Sequence, residues 1–154
     1  MNVDFIPFPE DKEFPKPDLS KKYSLINEKK EEIGTIEGSV NIYGELVTVV
    51  KIYGLENQQK GIGFSSFKRI FNELNELVEI NTIKSSWLKG EEFQFFEDCM
   101  STNLRIFQTQ RNLGKPIEEC AFGTPTGKWA QKLGFHKCEI IRITTEEVCI
   151  DFKK

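Results

Sequence analysis

The chain has a single histidine, His136, and four cysteines, Cys99, Cys120, Cys138 and Cys149, with no CxxC pair among them. A structural zinc site draws several Cys and His ligands at close spacing, so this supply argues against one and no metal is expected. A cysteine nucleophile needs a neighbouring base, and His136 is the only imidazole. The thiols therefore read as reduced, small apolar side chains. No apolar run approaches the roughly 20 residues that span a bilayer. The opening MNVDFIPFPE also lacks the basic-then-apolar layout of a signal peptide, so a cytoplasmic chain with no membrane partner is expected. Charge of one sign is missing too. A formal net charge of -3, with both signs interspersed, sets up no field for nucleic acid. Lys84, Lys89, Arg105 and Arg111 form no basic stripe, and no nucleic-acid partner is expected.

What is present suits one domain: 154 residues and 13 phenylalanines supply a core. FIPFPEDKEFPKPD carries Pro7, Pro9, Pro15 and Pro17, which remove backbone donors and hold the chain extended. Residues 1–21 therefore read as an N-terminal arm, and Phe5, Phe8 and Phe14 suggest that it lies on the domain body or on a partner. From Lys22 to Tyr53, KYSLIN, EKKEE, IGTIEGSVNIY and ELVTVVKIY alternate strand and turn, as in an antiparallel meander. A helix follows in which Phe64, Phe67, Phe71, Leu74 and Val78 share one face, with Ser65, Lys68, Asn72 and Glu76 on others. VEINTIKSSWL then returns as a strand. A strand, helix, strand unit implies parallel pairing with ELVTVVKIY.

Residues from about 89 to 121 read as a helical insertion. EFQFFEDCM and NLRIFQTQ are both helix candidates, with Phe93, Phe96 and Met100 on one face and a loop from Arg111 to Lys115. The helix ending at WAQKLGF has Thr124 or Thr126 as cap, Pro125 in its first turn and Gly134 to close it. CEIIRI and VCIDF read as a final hairpin.

QQKGIGFSSF places Gly61 and Gly63 at the mouth of the first helix. A helix start exposes unpaired N–H groups and the positive end of the dipole, which attract phosphate. Glycines let a ligand approach the backbone, and Lys60 adds charge. The motif is neither a Walker loop nor the three-glycine dinucleotide fingerprint. The bland alternative is a plain glycine turn beside a solvated lysine.

Gln58, Gly61 and Gly63, as Q-x-x-G-x-G between a strand and an amphipathic helix, resemble the pyrophosphate loop of the GNAT N-acetyltransferase superfamily. WAQKLGF resembles that family's late helix and its Leu-Gly-Phe ending. The resemblance spans Lys22 to Phe152 and implies an α+β fold with a mixed sheet: a meander, then a parallel strand around a splayed cofactor cleft, then a closing hairpin. Residues 22–154 would form that single domain. It also implies acetyl-CoA as cofactor and an amine acceptor, a small molecule or a protein, as partner. Ile52 and Tyr53 would face the pantetheine through their main chain, and Gln58, Gln59, Lys60, Gly61, Ile62, Gly63 and Phe64 would wrap the pyrophosphate. Self-association into a homodimer is left open.

Several positions depart from the family pattern. Its general-acid tyrosine falls at Ala130, an asparagine near Gly123, and a strand carboxylate at Val47. Glu45 is the nearest substitute for the last, although Glu45 and Glu56 read as solvated turn residues and His136 as a surface residue or helix-end cation. Tyr53 is a donor candidate that more often packs its ring. No catalytic residue is assigned. Trp87, Phe93, Phe95, Phe96 and Phe107 are candidates for an acceptor wall but read better as core. Two functions follow from the resemblance: N-acetyl transfer from acetyl-CoA to a primary amine, or a catalytically impaired module that binds CoA, a protein partner or both.

Overall fold

A computed structural model describes residues 2–8, 19–58, 61–93 and 97–154. The chain divides into two compact units, Met1–Ile80 and Asn81–Lys154. In the first unit, β1 (Asp4–Pro7), β2 (Ser20–Ile26), β3 (Glu32–Val40) and β4 (Glu45–Ile52) pair consecutively and antiparallel. Asparagines shape both turns of the expected meander, because a short amide side chain can replace a backbone acceptor. Asn27 Oδ1 accepts from the Lys29 and Glu31 amides at 2.9 Å each. Asn41 Oδ1 accepts from Tyr43 and Glu45 at 3.0 Å each.

Helix α1 (Ile62–Leu77) packs on one face of this sheet through Ile62, Ser66, Phe67, Ile70, Phe71 and Leu74. Burying side chains the size of Phe67 or Leu74 contributes roughly 1.5–3 kcal/mol each. The core face expected from periodicity is present, with two adjustments. Phe64 is only half-buried, and Val78 lies beyond the helix as its extended C-cap. Ser65, Lys68, Asn72 and Glu76 are all exposed. At Gly38 the helix comes so close to β3 that a Cβ would overlap Ile70 Cγ2 and crowd Leu74 Cδ1 at 3.3 Å.

The arm is not wholly irregular. Asp4–Pro7 forms an edge strand, where a proline is tolerated because its missing donor would face away from the sheet. Phe5 meets Tyr23 edge-on at 6.2 Å, and the Arg69 guanidinium lies 4.6 Å over the Phe5 ring and 5.0 Å over that of Tyr23. Arg69 is anchored in turn by Glu73 at 3.3 Å. Pro9, Phe14, Pro15 and Pro17 lie outside the described residues.

In the second unit, β5 (Thr82–Leu88), β7 (Glu147–Lys153) and β6 (Lys137–Ile143) form an antiparallel sheet in that order, with the expected closing hairpin. Helices α2 (Thr102–Asn112), α3 (Ile117–Phe122) and α4 (Pro125–Lys132) accompany it. Its core contains Ile83, Trp87, Leu104, Phe107, Phe135, Ile150 and Phe152, so Trp87 and Phe107 are interior residues. Thr124 caps α4, its Oγ1 accepting from the Gly127 amide at 3.0 Å, and Gly134 follows in the left-handed region at φ 96°. EFQFFEDCM departs from expectation. Among its described residues, Glu91–Phe93 makes a 3₁₀ turn, Met100 bridges back to Lys89, and the Gly90 amide donates to Cys99 O at 2.8 Å. Phe95 and Phe96 lie outside the described residues. The short α3 appears where no separate helix was expected.

Candidate functional site

After β4 ends at Ile52, the chain turns at Gly54, passes through a 3₁₀ turn at Leu55–Asn57, and reaches the head of α1 at Gly61. This connection is held by its own side chains. Asn57 Nδ2 donates to Tyr53 O at 2.9 Å, the Asn57 amide to Gly54 O at 3.3 Å, and Gln58 Nε2 to Ile52 O at 3.4 Å. The Tyr53 amide donates to Ile33 O at 2.7 Å, so this end of β4 is tied to β3, while the phenol ring is exposed. Gln59 and Lys60 lie outside the described residues.

Gly61 is the N-cap of α1 and adopts φ 78°, a left-handed conformation that costs any residue with a Cβ about 1 kcal/mol. It supplies no side-chain cap. The first ladder bond runs from the Ser65 amide to Gly61 O at 3.0 Å, which leaves the amides of Ile62 and Gly63 ahead of the ladder. No acidic residue stands in the first turn to compensate the dipole. A Cβ on Gly61 would meet nothing within 4 Å, so the backbone faces open space. The surface in front is an open depression of about 480 Å³, walled by Asn2, Val3, Asp4 and Phe5 on one side and by Gly61, Ile62 and Ser65 on the other. The contribution of residues 2–5 left no trace in the sequence, because it depends on the register of β1 against β2.

A second depression, about 450 Å³, adjoins Tyr53 and Gly54 and is lined by Glu28, Glu31, Glu32 and Glu56 with Lys29. Four carboxylates repel phosphate, whereas the head of α1 attracts it. Asp4 places one carboxylate beside the first depression against four beside the second, so charge favours the first for an anion.

Glu45 accepts from Asn41 Nδ2 at 2.9 Å within its turn, and Glu56 and His136 are exposed. Ala130 is fully buried. Gly123 is the C-cap of α3. Burial raises the pKa values of the Cys120, Cys138 and Cys149 thiols, keeping them protonated, and all four cysteines are free. Among the described residues, no cluster of three or more His, Cys, Asp or Glu side chains is arranged to hold a metal, and no helix is long and apolar enough to cross a membrane.

Meander, glycine turn, amphipathic helix, returning strand, late helix and closing hairpin follow one another along the chain in the order that the sequence resemblance implies, and the fold is α+β. Among solved structures, a domain from Methanocaldococcus jannaschii is similar at a TM-score of 0.50, with 12% identity over 90% of this chain and 69% of the other. Mutant forms of the spermidine/spermine N-acetyltransferase SpeG from Vibrio cholerae are similar at 0.47, with 11% identity over 88% of this chain and 65% of theirs. The N-acetyltransferase PseH from Campylobacter jejuni, in complex with acetyl coenzyme A, is similar at 0.44, with 13% identity over 90% and 70%. The chain thus spans about two thirds of the length of these proteins. Identities this low bear on fold alone. No protein-family model and no curated protein sequence matches the chain.

Proposed function

We propose that the protein is an acetyl-CoA-dependent N-acetyltransferase, acting in the cytoplasm on a primary amine of a small molecule or protein. The observation that carries this reading is the head of α1: a left-handed glycine without a side-chain cap, uncommitted amides at Ile62 and Gly63, and open space in front. That arrangement fits a diphosphate, which needs N–H donors and close backbone approach. Ile62 and Gly63 would hold it through their amides, with Gln58, Gln59, Lys60, Gly61 and Phe64 completing the loop and Ile52 and Tyr53 leading into it.

Acetyl-CoA, when bound, supplies a thioester whose carbonyl carbon an amine can attack. The chain's contribution to such a reaction is to fix the donor and limit its motion, a positioning effect that needs no side-chain acid. General acid and base help would add about 10²- to 10⁴-fold, and no residue is assigned to it.

A second reading, an impaired GNAT-like module that binds CoA, a protein partner or both, is favoured by the burial of Ala130. Both readings share the cofactor loop. Thermal denaturation with acetyl-CoA tests that loop, because a ligand at 100 times its dissociation constant adds about 2.7 kcal/mol. Gly61→Glu, which sets a carboxylate where phosphate would lie, is expected to abolish the shift. Gly61→Ala controls for backbone strain and should retain part of it. No shift in the parent chain removes the acetyltransferase reading and leaves only the partner-binding module.

A further inference from the structure

The sheet face of the first unit opposite α1 carries a regular pattern across its four strands. The Phe8 amide donates to Lys22 O at 3.1 Å, Lys22 stands opposite Glu37 in the β2–β3 register, and Glu37 stands opposite Val49 in the β3–β4 register. One row therefore reads Phe8, Lys22, Glu37, Val49. Lys22 Nζ lies 4.2 Å over the Phe8 ring and 3.9 Å from Glu37 Oε2. Neighbouring rows place Ser20 and Ser39 beside Val47, and Ser24 and Thr35 between Ile6 and Lys51. The middle strands are lined with short hydroxyl side chains, which keep the surface level. The margins carry apolar side chains left in water: Ile6 is 49% exposed, Phe8 37%, Val47 48% and Val49 45%.

We infer that this face is the docking surface for a second copy of the chain, stacked sheet on sheet about a two-fold axis parallel to the strands and running between β2 and β3. Such an axis exchanges β2 with β3 and β1 with β4. It sets Lys22 over Glu37 of the second copy, Glu37 over its Lys22, and Phe8 over its Val49. Opposite charges meet at the centre, Phe8 meets Val49 at the margin, Lys51 falls over Ile6 of the second copy, and the same patch serves both copies, as a closed isologous interface requires. A partner with a one-signed surface would leave either Lys22 or Glu37 facing a like charge, a mismatch that disfavours it. Four strands about 4.8 Å apart and some seven residues long at about 3.3 Å per residue give a footprint of roughly 300–400 Å² per copy. That lies below the roughly 800 Å² of a standard interface, so the dimer is a weak one.

Sedimentation velocity of the full chain, from about 1 µM to about 1 mM, tests the inference. The parent chain is expected to pass from monomer to dimer across that range. Lys22→Glu and Glu37→Lys each put like charges across the axis and should raise the dimer dissociation constant at least about tenfold. An equimolar mixture of the two variants pairs an acidic face with a basic one and should restore the dimer, which also shows that both are folded. Phe8→Ser, at an exposed margin, weakens association without altering the charge pattern and serves if either reversal fails to fold. A parent chain that stays monomeric to about 1 mM, or single reversals that dimerise as the parent does, overturns the inference and assigns the face to another partner or to none.

Discussion

Tyr23 shows how one side chain ties several elements together. Its hydroxyl donates to Glu73 Oε2 at 2.7 Å, its ring meets Phe5, and the ring itself is buried. Burial first, and then the hydrogen bond to the Glu73 carboxylate, raise its pKa above 10.0, the ordinary tyrosine value, with Arg69 opposing. A folded-state pKa above the unfolded one means that the contribution to stability is fully present below about pH 10 and is lost as the pH rises through the folded value. Melting temperature should therefore fall in that alkaline window, and Tyr23→Phe should flatten the decline while lowering stability near neutrality by about 0.5–1.5 kcal/mol for the lost hydrogen bond. Parallel declines in the two proteins above pH 10 would show that Tyr23 is not the titrating group. Ala130 teaches the complementary lesson: a position can match a motif in sequence and still face the interior.

At the scale of elements, α1 and the strands beneath it set the geometry on which the candidate site depends. Their closest approach is at Gly38, where Ile70 occupies the space of a side chain. Isoleucine is branched at Cβ and stiff, so it yields little. Gly38→Ala should cost about 1–3 kcal/mol by overpacking, measured by denaturant unfolding, and α1 should lose amide-exchange protection with it. Unchanged stability would mean that helix and sheet separate more readily than their packing implies. Any movement of α1 also moves Gly61, so the same variant should weaken acetyl-CoA binding if the head of the helix is the anion site. Strand β1 belongs to this assembly as well, since Phe5 and Arg69 hold it against the helix whose first turn it flanks.

For the whole molecule, the proposed function requires that bound cofactor lead to transfer. No side-chain acid or base is assigned to the chemistry: Glu147 accepts from Cys149 Sγ at 3.1 Å within the second unit, and burial raises the pKa values of the Cys120, Cys138 and Cys149 thiols. Any catalysis would thus rest on positioning, with modest turnover. Incubating the protein with labelled acetyl-CoA and a panel of primary amines should transfer label to an amine, and Gly61→Glu should suppress transfer. Retained cofactor binding with no labelled amine, in the panel or in cell extract, would instead favour the binding module. Such an assay tests the chain as a unit, since the glycine turn lies in Met1–Ile80 and the late helix in Asn81–Lys154.

Strands β2 to β4, the core face of α1 and the capped α4 were legible in the residues themselves. Each depends on neighbours a few positions apart: alternation along a strand, a 3.6-residue period, a threonine three residues before the amide that it caps. Pairing of β1 with β2, the interior position of Ala130 and the contact of Gly38 with Ile70 were not. Those features join groups far apart in the chain, and local propensity carries no information about which distant surface a residue will meet. The glycine turn stands between the two cases. The sequence announced its two glycines and the helix behind them, but only the folded backbone decided that Gly61 is left-handed, uncapped and open in front, because those properties arise from how the chain leaves β4 and enters α1.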